Sequence, residues 1–269
     1  MNCIAIYRAE RFSPNSADRD RAIMDAVASR TGCSYRIKEE DIMRHAALIK
    51  GADIVLSMAR GKAALALLTE AERHATVINR ASAVAKCSRS FIDNAMRRNK
   101  IPAAPLYSDG GWWIKRGDEA AQSKDDVVFA ADSTEKERIV EEFRHRGISD
   151  IVTTAHVEGD LVKFYGVEGT DFFHFHYPTD GSFSKFGNET RNGKAKHTRF
   201  AADDLQRDAA RLAAITGISV YGGDCIVRPD GSYAIIDFND WPSFSSCREE
   251  AAEAIARLAR KMTTRNGYI

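Results

Sequence analysis

Three oxygen-bearing side chains near the end of the chain, Asp224, Asp237 and Asn239, have a spacing that allows them to share one ligand. The stretch "SYAIIDFNDWPSF", 232–244, runs an apolar strand, Ala234-Ile235-Ile236, straight into Asp237. Side chains alternate along a strand, so Asp237 and Asn239 face one way and Phe238 the other. Just upstream, "RPDG" is a tight-turn signature with Pro229 preset for the first central position. With Pro229 and Asp230 central, residue 224 stands opposite 235, which puts Asp224 one diagonal step from Asp237 on the same face. Carboxylate and amide oxygens suit Mg²⁺, which keeps several waters and bridges to substrate phosphates. The same pattern also fits an exposed hairpin end in which Asp237 caps the next turn, and periodicity does not choose between the two.

Cations gather in two other places. "IVLSMARGK" reads as strand, turn and helix start, so Arg60, Gly61 and Lys62 could present helix N–H groups and positive charge to an anion. Arg8, Arg11 and the Ser13-Pro14-Asn15 turn follow the first strand at the equivalent edge of a parallel sheet, where such sheets bind ligands. Between 185 and 199, "KFGNETRNGKAKHTR" carries five Lys/Arg against one acid. His174 and His176 alternate on one strand face and read as ordinary strand histidines rather than a metal pair.

These side chains need a frame. "CIAIY", "CSYRI", "ADIVLSMA" and "ATVIN" read as strands alternating with helices, which implies parallel βαβ units and a small α/β domain over 1–80. A helix over 82–100 is stopped by "IPAAP", and "GWWIKR" and "DVVFAA" read as strands. Thr134 with Glu137 forms a capping box for the next helix, completing a mixed unit over 81–150. "DIVTTAHVEG", "DLVKFYGVEG" and "TDFFHFHYP" then read as consecutive antiparallel strands of a third unit, 151–269, closed by the helix "REEAAEAIARLARKM".

The net charge of +1 argues against a nucleic-acid partner or an anionic membrane, and no apolar run approaches a membrane span. The first residues read as a strand rather than a signal peptide. The five cysteines lack CxxC spacing, so reduced thiols in a cytoplasmic protein are expected. Nothing in the pattern specifies an oligomeric state.

The hairpin "GGDCIV…IIDFNDWPSF" resembles the metal-binding end of the ATP-grasp superfamily at Asp224, Asp237, Asn239 and Pro242. Other stretches resemble the family in the same order over 75–245. "WWIKR" is similar to the strand whose lysine, here Lys115, contacts nucleotide phosphates. "TTAHVEGDLVKFYGV" resembles the adenine hinge and the strand after it. "VINRASAVAKCSRSFIDNAMRRNKIPAAP" resembles the Asn-led helix that opens the nucleotide domain.

The resemblance implies an ATP-grasp fold, α/β and α+β, with two α+β units enclosing ATP and Mg²⁺. It implies adenine pairing at Thr154, Ala155, His156 and Val157, with Glu158 at the ribose. It further implies nucleotide contacts from Arg89, Lys115 and Lys163, and metal ligation by Asp224, Asp237 and Asn239. Lys185, Arg191 and Lys194 would stabilise a transferring phosphoryl group, while Arg8, Arg60 and Lys62 would hold an anionic small molecule. The chain departs from the family at three points. Arg89-Ser90 stands where an Asp-Lys pair is usual, with Lys86 one turn earlier; Thr154-Ala155 replaces Gln-Glu; and the lid stretch "RGDEAAQSKDD" has the single glycine Gly117. The activity implied is carboxylate–amine ligation through an acyl phosphate. An inositol phosphate-like kinase and a non-catalytic nucleotide-binding module are the alternatives.

Overall fold

The computed structural model describes residues 2–14, 16–118, 123–180 and 191–265. Strand β1 (Cys3–Tyr7) is apolar along its length because helices cover both faces of its sheet, as is usual for parallel strands. Helix α1 (Ala17–Thr31) starts at Ser16, although no hydroxyl bond caps it, and ends at Gly32, whose φ of +67° makes the left-handed stop. β2 (Tyr35–Lys38), α2 (Ala46–Lys50), β3 (Ile54–Ser57), α3 (Lys62–Ala71) and β4 (Thr76–Ile78) complete a parallel sheet ordered β2-β1-β3-β4. Closing this βαβ unit brings the residues just before β2 beside the start of β1. Cys3 and Cys33 meet there in a disulfide, contrary to the expectation of five free thiols, while Cys87, Cys225 and Cys247 are free.

The helix expected over 82–100 is two helices, α4 (Ala81–Val84) and α5 (Arg89–Arg98). The break falls at Ser88, whose hydroxyl accepts from the Phe91 N–H at 3.2 Å and so caps α5. β5 (Trp112–Arg116), β6 (Val127–Ala130), α6 (Ser133–His145) and β7 (Ile151–Ala155) follow, and the strands form an antiparallel sheet ordered β6-β5-β7. The cap of α6 lies two residues before the expected Thr134–Glu137 box. Asp132 accepts from the Glu135 N–H and Glu135 accepts from the Ala131 N–H, both at 2.8 Å, because a carboxylate at the N-cap also meets the helix dipole.

The second antiparallel sheet, ordered β11-β10-β8-β9, contains β8 (Asp160–Val167), β9 (Phe173–His176), β10 (Val220–Val227) and β11 (Tyr233–Asp240), with α7 (Ala202–Thr216) between β9 and β10. β7 does not open this run, as the sequence pattern suggested, but pairs with β5, so the chain changes sheets between 156 and 159. Gly159 makes the change possible: its φ is +147°, and any side chain there would run into the Val227 carbonyl. The last helix, α8 (Arg248–Arg265), leaves the third unit and shares a core with α1, in which Ala251, Ile255 and Leu258 meet Ile23, Met24 and Val27. The last helix of the span 151–269 thus packs on the first unit.

Two further ties orient the sheets. Buried Asn79 accepts from the Ser219 and Val220 N–H groups at 2.9 and 2.7 Å and donates to the Val220 carbonyl at 2.8 Å. This pins β10 to the end of β4. The segment 101–105 links the two antiparallel sheets: its Pro102 and Pro105 carbonyls accept from Ile235 and Ala155 N–H at 2.8 and 2.7 Å. Among the described residues no helix is long and apolar enough to cross a membrane.

Candidate active site

The turn between β10 and β11 has Pro229 and Asp230 at its centre, and Gly231 donates to the Arg228 carbonyl at 2.9 Å. Gly231, at φ +83°, then adds a bulge residue, and a second irregularity between Asp224 and Cys225 adds another. The expected pairing of 224 with 235 is replaced by Asp224 directly opposite Asp237 and Cys225 opposite Ile235. Asp224 and Asp237 thus stand closer in register than the diagonal reading had them.

Each carboxylate already has a cation. Lys163, in register with Asp224 on β8, donates to both of its oxygens at 3.1 and 3.2 Å. Arg89 Nε lies 4.0 Å from Asp237, and Asn239 Nδ2 donates to Asp237 Oδ2 at 3.0 Å. Burial alone would push the Asp237 carboxyl up, but Arg89 and Lys115 outweigh it and hold it below the usual carboxylate range. Among the described residues no three His, Cys, Asp or Glu side chains gather as a metal cage. The set is two carboxylates and one amide oxygen, which suits Mg²⁺, an ion usually held by one or two carboxylates with water and phosphate completing its shell.

A cavity of ≈ 1320 Å³ opens beside this cluster and is lined by Arg89, Lys115, Thr154, Ile236, Asp237 and Asn239 on one side and by Arg11, Arg60 and Lys62 on the other. Lys115 donates to the carbonyl of Ile236, the bulge residue, at 2.9 Å. Burial pulls its ammonium below the usual lysine range, against the pull of Asp237. Arg89, the first residue of α5, is braced by the Arg116 carbonyl at 2.7 Å. Lys86 is exposed and does not line the cavity.

At the hinge, several of the expected adenine partners are engaged. Ala155 N–H donates to Pro105 and His156 N–H to the Gly111 carbonyl at 2.9 Å, while the Val157 carbonyl accepts from Asn192 Nδ2 at 3.0 Å. The His156 ring accepts from the Trp113 indole at 3.2 Å, and Glu158 is exposed. Arg191 sits 3.5 Å above the Phe129 ring centroid and 5.8 Å from that of Trp113, so it packs on the sheet of β5 and β6. Lys194 is exposed, and Lys185 lies outside the described residues. His174 and His176 share one partner, the Ser246 hydroxyl, at 3.3 and 3.4 Å.

The anion cradle expected at Arg60-Gly61-Lys62 is filled by the chain itself. Glu39 accepts from Ala9 N–H at 2.9 Å, Arg60 N–H at 3.1 Å and Gly61 N–H. Any Cβ at Gly61 would lie 2.8 Å from that carboxylate. The Arg8 and Arg60 side chains turn to Asp240, at 3.5 and 2.6 Å. Sequence reading missed both acids: Glu39 comes from a 3₁₀ turn over 39–45 with no motif, and Asp240 stands next to Asn239 with no role assigned to it.

No protein-family model matches the sequence, and no curated protein matches it. Solved structures do match its fold. D-alanyl-alanine synthetase A from Vibrio cholerae aligns with a TM-score of 0.65 at 11% identity, covering 98% of this chain and 99% of that one. The D-alanine–D-alanine ligase of Bacillus anthracis aligns with a TM-score of 0.64 at 11% identity, covering 99% of both chains. A RimK domain ATP-grasp protein from Sphaerobacter thermophilus aligns with a TM-score of 0.62 at 17% identity, covering 96% of this chain and 99% of that one. The chain has the ATP-grasp fold.

Proposed function

We propose that the protein is an ATP- and Mg²⁺-dependent ligase that activates a small-molecule carboxylate as an acyl phosphate for attack by an amine or similar nucleophile. The observation that carries this reading is the meeting of Lys115, Arg89, Asp237 and Asn239 in one cavity, which the N-terminal unit lines on its other side. It is supported by the company the fold keeps, which includes the B. anthracis D-alanine–D-alanine ligase solved with ATP, at a TM-score of 0.61.

Lys115 and Arg89 bind and orient the phosphates and neutralise their charge. Asp224, Asp237 and Asn239 would hold Mg²⁺, which would offset charge on the phosphate oxygens. Adenine pairs with the hinge groups that Pro105, Gly111 and Asn192 leave over, Thr154 lines the pocket and Glu158 serves the ribose. A carboxylate oxygen of the acid attacks the γ-phosphorus and ADP leaves. The nucleophile then attacks the acyl carbon, and the C–O bond to phosphate breaks. The acid enters from the wall carrying Arg11, Arg60 and Lys62, with Arg8 behind Arg60. Of the candidate phosphoryl stabilisers, Arg191 and Lys194 reach the site only if their segment shifts on nucleotide binding, and the role of Lys185 stands on the resemblance alone.

Hydroxylamine tests the reaction class, because it traps an acyl phosphate as a hydroxamate and cannot trap a phosphate ester. Protein, ATP, Mg²⁺ and a panel of carboxylic acids should release ADP and form a hydroxamate. ADP release that requires a polyol and yields no hydroxamate would establish the kinase instead.

A further inference from the structure

Asp240 follows Asn239 at the end of β11, yet its carboxylate is taken by two arginines of the N-terminal unit. Arg60 Nη2 approaches Oδ1 at 2.6 Å and Arg8 Nη2 approaches Oδ2 at 3.5 Å. Arg8 also donates to the main-chain carbonyls of Asp240 and Trp241 at 3.2 and 3.0 Å, and pairs with Asp20 of α1 at 2.8 Å. The side chains of Arg8, Asp20, Arg60 and Asp240 are only 7, 5, 15 and 11% exposed. Just beyond, Trp241 at φ +38° and Phe244 at φ +46° occupy left-handed backbone that bulky residues seldom adopt. Such a conformation persists where the surroundings over-determine it, and the Arg8 bond to the Trp241 carbonyl is one such constraint.

Stability alone is a weak reason for four buried charges, since well-packed apolar side chains do as well or better. What the knot provides is a fixed position. Arg8 follows β1 and Arg60 follows β3, so two neighbouring strand ends of one sheet converge on the residue next to Asn239 and three beyond Asp237. Resting on the nucleotide reading above, we propose that Asp240 is a positioning residue. The clamp of Arg8 and Arg60 on it sets where Asp237 and Asn239 stand, so the N-terminal unit tunes the grip of the oxygen cluster on a divalent cation.

The test is Asp240→Asn, which removes the charge and keeps the shape. ATP binding is measured by calorimetry in EDTA and across a MgCl₂ series, and hydrogen exchange of amides 237–244 is measured in the free protein. The Mg²⁺ needed to half-saturate the ATP complex should rise by about tenfold or more, as for other residues that support metal ligands, with metal-free binding changed by less than about twofold. Amides 238–241 should exchange faster while those of β1 and β3 do not. If that variant does not fold, Arg60→Gln, which leaves Arg8 on the carboxylate, should shift the Mg²⁺ requirement in the same direction by less. Wild-type Mg²⁺ dependence with unchanged exchange would overturn the proposal. So would equal weakening of metal-free and Mg²⁺-supported binding, which marks a merely structural knot. Wild-type protein that binds no ATP would overturn the nucleotide reading instead, and unchanged exchange at 238–241 would then still sink the clamp.

Discussion

Replacing Lys115 with methionine separates binding from folding at this site. The residue is 8% exposed and its ammonium donates to the Ile236 carbonyl at 2.9 Å, with Asp237 and Arg89 close by. Methionine has a similar length and no charge. Losing the charge-assisted contact to phosphate should cost about 1.5–3 kcal/mol, roughly ten- to a hundredfold in ATP affinity. Folding should change far less. The orphaned Ile236 carbonyl costs about 1 kcal/mol, and relief from burying an ammonium offsets part of it. The melting temperature should therefore move by no more than about 4 °C. Lys86→Met is the control: it makes the same charge change at an exposed position outside the cavity. Calorimetric titration with Mg·ATP, beside thermal melts of all three proteins, reads both effects. Wild-type affinity in a folded Lys115→Met protein, or an equal loss in Lys86→Met, would refute the assignment of β5 as the phosphate strand.

Asp237→Ala should abolish the Mg²⁺ enhancement of ATP binding with little loss of fold, and tight Mg²⁺-dependent binding by the variant would remove the metal-site claim. Glu39→Gln weakens the charged acceptor for Ala9, Arg60 and Gly61 N–H; chemical denaturation should show a loss of about 1.5–3 kcal/mol. Asp160 accepts from the Lys196 and Thr198 N–H groups at 2.7 and 2.8 Å, and these outweigh burial to hold its carboxyl below the usual range. A depressed folded-state pKa means the contribution is complete above the unfolded value and is lost as pH falls through the folded one. Acid titration should therefore free the 196–198 segment below the ordinary carboxylate range, and Asp160→Asn should abolish that step in hydrogen exchange. Arg191→Ala removes the stack on Phe129, worth about 0.5–1 kcal/mol, and should alter the fluorescence response of Trp113 to ATP more than it alters ATP affinity.

What the sequence could show was whatever is written locally. Strand alternation put Asp237 and Asn239 on one face, and turn chemistry placed Pro229 and Asp230 at the centre of the hairpin. The register was less legible, because Gly231 and the bulge before Cys225 each add a residue that no alternation pattern marks. The break at Ser88 was hidden for a similar reason: 82–100 has helical composition throughout, and only the cap bond to Phe91 reveals two helices. α8 reads as an amphipathic helix, but which sheet it covers depends on a partner, α1, more than two hundred residues away in the chain.

The cation clusters share one feature that bears on the site. With 39 basic against 38 acidic residues, a positive cluster in this chain is first of all a partner for its own acids. In the free protein the Arg60 side chain pairs with Asp240 and the Gly61 N–H with Glu39. The cations around the oxygen cluster are paired as well, Lys163 with Asp224 and Arg89 near Asp237, but their partners are the proposed metal ligands. A divalent cation arriving with phosphate would take over the carboxylates and release positive charge toward the phosphate oxygens. In the free protein the paired cations then offset both carboxylates, while the buried Lys115 ammonium is held by the Ile236 carbonyl. On that logic Lys163 and Arg89 are the cations that a metal would free toward phosphate, whereas Asp240 keeps its pairing with Arg8 and Arg60.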